Sequence, residues 1–172
     1  MECGFRCEEF SQYRVDLPYP DVIVRAPNEH YARLISGAFA GSGSELTAIA
    51  QYTFHNLYTD GYPDVSAALK YIAAVEATHL RLLGKLIIQL GLTPMYGSYE
   101  TETYWNGNYS DYNTLIGDLL AVDIQGERNA IAHYDRLLHQ IRDESIAQLF
   151  RRILLDEERH LEVLLPLYDK YR

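Results

Sequence analysis

Apolar residues recur three and four positions apart in four long stretches, the spacing of amphipathic helices. The first runs from about Asn28, an N-cap residue directly after Pro27, to about Tyr58. Asp60-Gly61-Tyr62-Pro63 reads as a turn, and the second helix runs from about Asp64 to Leu90, where Gly91 and then Pro94 end it. The third runs from about Asp111 to Gln140, Arg142-Asp143 turns the chain, and the fourth runs from about Glu144 to Tyr168. Residues 92 to 111 have no helical period and form one long link, rich in Tyr96, Tyr99, Tyr104, Trp105 and Tyr109, which packing should hold down. Residues 1 to 27, with Pro18, Pro20 and Pro27, also lack a sustained period. They are expected to form an extended arm leading into, or lying along, a domain of residues 28 to 172.

Two of the apolar seams are interrupted in the same way. In the fourth helix the seam Ile146, Leu149, Ile153, Leu164, Leu167, Tyr171 has missing beats filled by Glu157 and His160, one turn apart on the core face. In the second, Leu69, Ile72, Leu83, Leu86 and Leu90 frame Glu76 and His79. The first and third helices each carry one core-facing glutamate, Glu45 and Glu127, followed seven residues later by Tyr52 and Tyr134. Glu45 precedes Glu76 by 31 residues and Glu127 precedes Glu157 by 30, so the second half repeats the first. Charged groups in a core are costly unless something binds them.

Counting from the turns places all six side chains at one depth. Glu45 lies 16 residues before Gly61 and Glu76 15 after it; Glu127 and Glu157 each lie 15 from Arg142. At about 1.5 Å per residue that depth is roughly 22 Å from each turn, mid-helix. The link, able to span ~66 Å when extended, can cross the whole bundle as a single long crossover between two antiparallel hairpins. Four carboxylates close together should hold protons unless cations are present. Two divalent cations balance them with both imidazoles neutral: Glu76 and Glu157 suit bridging positions, His79 and His160 complete one metal each, and Glu45 and Glu127 are terminal. Oxygen and nitrogen donors without thiolate suit iron or manganese, and zinc can occupy such a site. Asp123, one turn before Glu127, is placed to accept the free N–H of a ligand histidine, and Tyr52 and Tyr134 to donate to the terminal carboxylates. His30, His55, His133 and His139 lie off the site's level or face and are read as solvated or packing residues; Glu158 and Arg159 point away from the seam. Gly37, Gly41 and Gly43, each costing about 1 kcal/mol in a helix, imply close packing, or room for a small oxidant beside Glu45.

Composition narrows the setting. A chain of 172 residues with 48% hydrophobic and 23% charged residues is one globular unit. A net charge of -9 argues against nucleic-acid binding. No apolar run reaches the length of a membrane span, and Met1-Glu2-Cys3 does not begin a signal peptide, so the expected location is the cytoplasm. Cys3 and Cys7, in a C-x3-C pair, are too few for a disulfide framework or zinc ribbon and are read as free thiols.

The pattern Glu45, Glu76-x-x-His79, Glu127, Glu157-x-x-His160 resembles the ferritin-like di-metal carboxylate superfamily over residues 28 to 170, with rubrerythrins and bacterioferritin-like proteins nearest and manganese catalases close by. The resemblance implies an all-α ferritin-like four-helix bundle and two iron ions, with manganese possible, reacting with hydrogen peroxide or dioxygen. It also implies an external electron donor and a homo-dimer or larger homo-oligomer. Peroxide reduction is the leading expectation. Ferrous-iron oxidation and handling, manganese catalase activity and a structural role are the alternatives, the last suggested by 15 tyrosines. The chain departs from the pattern in lacking a four-cysteine rubredoxin module, in having Ala130 where rubrerythrins usually carry a further glutamate, and in having Ala77 where haem-binding bacterioferritins place methionine. No haem is therefore expected. The long extensions typical of manganese catalases are missing.

Overall fold

The computed structural model describes residues 10–172; Cys3 and Cys7 lie outside them. Helix α1, Glu29–Ala40, starts at Asn28, whose side chain accepts the Tyr31 N–H at 3.1 Å. The single helix expected over 28–58 is in fact two. Gly41 leaves α1 in extended conformation, where a Cβ would lie 2.6 Å from the Gly37 carbonyl oxygen, so only glycine passes. Ser44 starts α2, Glu45–Asn56: its hydroxyl accepts the Thr47 N–H at 3.3 Å, and the Thr47 hydroxyl donates back to the Gly41 carbonyl at 2.9 Å. Three glycines within seven residues weaken the helix, and the hydroxyls between and after them supply the caps that let the chain stop and restart.

Gly61, at φ +90°, turns the chain into α3, Pro63–Gln89, with proline at its first position; Gly91, at φ +100°, ends it. Helix α4 spans Ile116–Gln140 and α5 Glu144–Tyr171, the latter capped by Asp143 Oδ1, which accepts from the N–H groups of Ser145 and Ile146. Helix α4 begins later than the expected start near Asp111. Asp111 is tied into the link instead, its N–H donating to Gln51 Oε1 at 2.9 Å and its carboxylate accepting the Asn113 N–H at 2.8 Å.

The link is pinned across the bundle. A small antiparallel pair, β1 Gly97–Ser98 and β2 Thr103–Tyr104, lies over α1, with the Tyr99 N–H on the Ser36 hydroxyl at 2.8 Å. The Trp105 indole N–H donates to the Thr47 hydroxyl at 3.0 Å, fastening the link to the start of α2. The described part of the arm, residues 10–27, makes one short helical turn at Ser11–Tyr13 and then runs without regular structure. Arg152 on α5 donates to the carbonyls of Leu17 at 2.9 Å and Val15 at 2.7 Å, and Arg159 to that of Gln12 at 2.9 Å, so this segment lies against α5.

Two apolar clusters fill the interior. Ile35, Phe39, Leu83, Ile87, Leu137, Leu149 and Phe150 belong to one, and Val65, Leu69, Ile72, Leu119, Leu120 and Leu164 to the other. Between them, in sequence along every long helix, falls a layer of buried charged side chains. Among the described residues no helix is long and apolar enough to cross a membrane.

Candidate metal centre

Glu45 is the first residue of α2, at the positive end of that helix. Glu76 and His79 face inward one turn apart in the middle of α3, Glu127 in the middle of α4, and Glu157 and His160 in the middle of α5. None of the six is more than 4% exposed. Their oxygen and nitrogen atoms form two groups of four: Glu45, Glu76, His79 and Glu157, and Glu76, Glu127, Glu157 and His160. Within each group the facing atoms lie within 4.8 Å of one another, and Glu76 and Glu157 belong to both.

The contacts inside each group have the form of a cation site. His79 Nδ1 lies 2.8 Å from Glu76 Oε2, 3.2 Å from Glu157 Oε1 and 3.8 Å from Glu45 Oε2. His160 Nδ1 lies 3.0 Å from Glu76 Oε1 and 3.3 Å from both Glu127 Oε2 and Glu157 Oε2. One ring nitrogen carries at most one proton and cannot serve three carboxylates. A cation at each point of convergence would engage all of them. Glu157 Oε1 is buried without accepting any hydrogen bond, which in a close-packed core calls for another partner. The donor set therefore fits two divalent metals of the iron or manganese kind.

Protons alone balance the layer differently. Burial holds the Glu45 carboxyl well above the usual range, with Glu76 adding to it; burial does the same to Glu127. Burial also works against Glu76 and Glu157, but the neighbouring imidazoles outweigh it and hold both below the usual range. Both imidazoles are correspondingly raised despite their burial, by the carboxylates around them.

The two tyrosines cross between the halves of the bundle. The Tyr52 hydroxyl on α2 donates to Glu127 Oε1 on α4, and the Tyr134 hydroxyl on α4 donates to Glu45 Oε1 on α2. Both phenols are raised by burial first and by the facing glutamate next.

Asp123 departs from the expectation. It accepts from Gln51 Nε2 at 2.8 Å and pairs with His55 Nδ1 at 2.9 Å, rather than with His79 or His160. The reason is packing: α2 runs beside α4 and lays Gln51 and His55, one turn apart, over Asp123. His55 is fully buried, neither solvated nor merely packed, and its Nε2 faces Asp111 at 3.3 Å. His133 is half-buried, and His30 and His139 are exposed.

Asp156 occupies the position expected of Asp123. Its Oδ2 lies 3.1 Å from His79 Nε2 and accepts the Tyr19 hydroxyl at 2.6 Å, while Oδ1 accepts the Val15 N–H at 2.8 Å and pairs with Arg152 at 2.8 Å. Burial opposes the Asp156 charge, but the His79 imidazole, by hydrogen bond and charge, and then hydrogen bonds from Tyr19 and Arg152 hold its carboxyl down to about 2; burial pushes the Tyr19 phenol up to about 12. His160 Nε2 has no hydrogen-bond partner among the described residues. Asp156 was findable, as an acid directly before Glu157 and one turn after Arg152. Tyr19 was not, because the arm carries no period.

A cavity of about 380 Å³ opens on the carboxylate side. It reaches Glu45, Glu76, Glu127 and Glu157 but neither His79 nor His160, and it is walled by the α1–α2 break and by side chains of α2 and α4, small ones such as Ala48 and Ala130 beside Tyr52, Tyr134 and His133. The arm covers the opposite side, against His79.

The family model of Rubrerythrin matches residues 38–168. No curated protein matches the chain in sequence. Among solved structures, KatB, a manganese catalase from Anabaena, superposes with a TM-score of 0.83 at 22% identity, covering 90% of this chain and 78% of its own. The dodecameric thioferritin of Bacteroides fragilis gives 0.69 at 21% identity, covering 85% and 88%. The bacterioferritin of Desulfovibrio desulfuricans gives 0.68 at 24% identity, covering 81% and 78%. At these identities the likeness establishes the ferritin-like four-helix fold, with two antiparallel hairpins joined by a long crossover.

Proposed function

Because the chain belongs to the rubrerythrin family, we propose that its buried layer is a dinuclear iron or manganese centre at which hydrogen peroxide, or dioxygen, is reduced. The observation that carries this reading is the convergence of each histidine Nδ1 on three carboxylate oxygens at mid-bundle. When bound, two reduced metal ions supply the two electrons that cleave an O–O bond.

The chain's own residues divide the remaining work. Glu76 and Glu157, which belong to both groups, would help hold both ions, and Glu45 and Glu127 would hold one each, kept in place by Tyr134 and Tyr52. His79 is oriented through Nε2 by Asp156, which leaves Nδ1 facing inward. The cavity brings the oxidant to the carboxylate face, and the arm keeps water from the His79 side. An external donor restores the reduced state. An assembly of two or more chains belongs to this reading, and sedimentation tests it.

Anaerobic stopped-flow oxidation of the ferrous protein is the direct test. Fast oxidation by peroxide with a slow response to dioxygen supports peroxide reduction. Faster oxidation by dioxygen supports iron oxidation and handling, the bacterioferritin-like alternative. Manganese retained from the host, with peroxide converted to dioxygen and no external donor, supports the catalase alternative. Oxidation by neither oxidant overturns the first two readings, and a manganese-loaded protein that releases no dioxygen from peroxide overturns the third.

A further inference from the structure

The cavity is larger than hydrogen peroxide requires. A water molecule takes about 30 Å³, so two peroxide oxygens need roughly twice that, whereas cavities of about 300 Å³ and more hold small organic molecules. Its floor is polar, made of the four glutamates, and its walls combine small side chains, Ala48 and Ala130 among them, with Tyr52, Tyr134, His133 and Gln125. Ala48 stands three residues after Glu45 and Ala130 three after Glu127, so the repeat places one alanine on each side, both lining the cavity. Val122 and Ala121 extend the wall along α4. At the mouth, a Cβ added at Gly43 or Gly126 would meet nothing within 4 Å. A polar floor with an alanine on each side, in a space of about 380 Å³, leaves room for a molecule with one oxidised end and a compact hydrocarbon tail.

We infer that this site takes organic hydroperoxides with branched or aromatic tails, the O–O group at the glutamate floor and the tail between Ala48 and Ala130. The inference rests on the peroxide reading above and names a substrate class for the same centre. The reaction balances as ROOH with two protons and two electrons giving ROH and H2O. The O–O bond breaks and each oxygen fragment gains one O–H bond. The electrons come from the reduced metal pair, which a one-electron donor protein of the iron–sulfur or flavin class replenishes. The protons come from solvent through the open mouth.

The test uses the full metal-loaded chain, hydrogen peroxide and cumene hydroperoxide. In stopped flow, cumene hydroperoxide is expected to oxidise the ferrous protein within about tenfold of the hydrogen peroxide rate. Ala130→Leu fills one wall and should lower the ratio of the two rates tenfold or more; Ala48→Leu repeats the test from the opposite wall if the first variant does not fold. Independently of turnover, calorimetry of cumyl alcohol with the oxidised protein should show one molecule bound per chain, weakened tenfold or more by either leucine. Oxidation by hydrogen peroxide but not by cumene hydroperoxide overturns this inference and leaves the peroxide reading standing. A ratio unchanged in both leucine variants, or no binding of cumyl alcohol, also overturns the inference alone. Oxidation by neither hydroperoxide overturns the reading and the inference together.

Discussion

Loading the centre should release protons, and a charge assignment for the buried layer predicts their number. Without metal, burial raises Glu45 and Glu127 well above the usual carboxylate range, and the surrounding carboxylates raise His79 and His160 despite their burial; the assignment to be tested is that all four carry protons at neutral pH. Glu76 and Glu157 are lowered and ionised. Two carboxylates then face two imidazolium ions, and the layer is neutral. Two divalent cations meeting four carboxylates and two neutral imidazoles also leave it neutral. The exchange is four protons for two metal ions: one each from Glu45, Glu127, His79 and His160. Wherever those protons are bound, the free energy of binding the pair should strengthen by about 5 kcal/mol per pH unit, four times the ~1.36 kcal/mol per proton. The direction is fixed, since raised groups compete with metal more at low pH. Calorimetric titration with ferrous or manganous ion at pH 7, in buffers of different ionisation enthalpy, measures the number. A value near four for the pair is expected, and near three for Glu45→Gln, whose amide carries no exchangeable carboxyl proton. A value of one or less in the wild type would refute the charge assignment, and with it the argument that each imidazole and its carboxylates share a cation.

Metal bound to the native state alone should raise the melting temperature, by a stabilisation of about 2.7 kcal/mol at a hundredfold excess over Kd. Glu127→Ala should remove most of that gain in a thermal scan; an unchanged gain speaks against the site. Arg152→Ala leaves Asp156 buried without its cation and frees the Val15 and Leu17 carbonyls. Such a loss costs about 3–5 kcal/mol and should appear in a urea titration, with protease cleavage increasing within residues 10–27. Gly41→Ala should cost more than the glycine-to-alanine gain of a normal helix position, because its Cβ would meet the Gly37 carbonyl at 2.6 Å; a stabilised variant contradicts the break. His55 is raised because Asp123 and Asp111 outweigh its burial. Its contribution is therefore full below the ordinary imidazole value of about 6.5 and lost as pH rises through the higher folded value. His55→Gln should flatten the fall in urea stability above neutral pH, and an unchanged slope would contradict the pairing.

The helical period carried most of what could be read in advance. A three-residue pattern, Glu and then Glu-x-x-His, that recurs 81 to 82 positions on survives as geometry because rise per residue is constant. Counts from Gly61 and Arg142 therefore led to Glu45, Glu76, Glu127 and Glu157 meeting at one level, where the structure brings them. Features that depend on non-periodic chain were out of reach. The α1–α2 break spans only Gly41 to Ser44, and its glycines read equally well as packing positions in an unbroken helix. Tyr19 reaches Asp156 from a segment 137 residues away that has no repeat to extrapolate. Asp123 was visible as a buried acid, but its partner depended on how α2 rolls against α4, and Gln51 and His55 reached it first.

The central claim is that two cations sit in the layer between the apolar clusters. Anomalous X-ray scattering at the iron and manganese edges, from crystals of protein purified from its own host, tests it most directly. The account predicts two peaks, one among Glu45, Glu76, His79 and Glu157, the other among Glu76, Glu127, Glu157 and His160. A layer without peaks at either edge, or peaks confined to surface carboxylates, would contradict it.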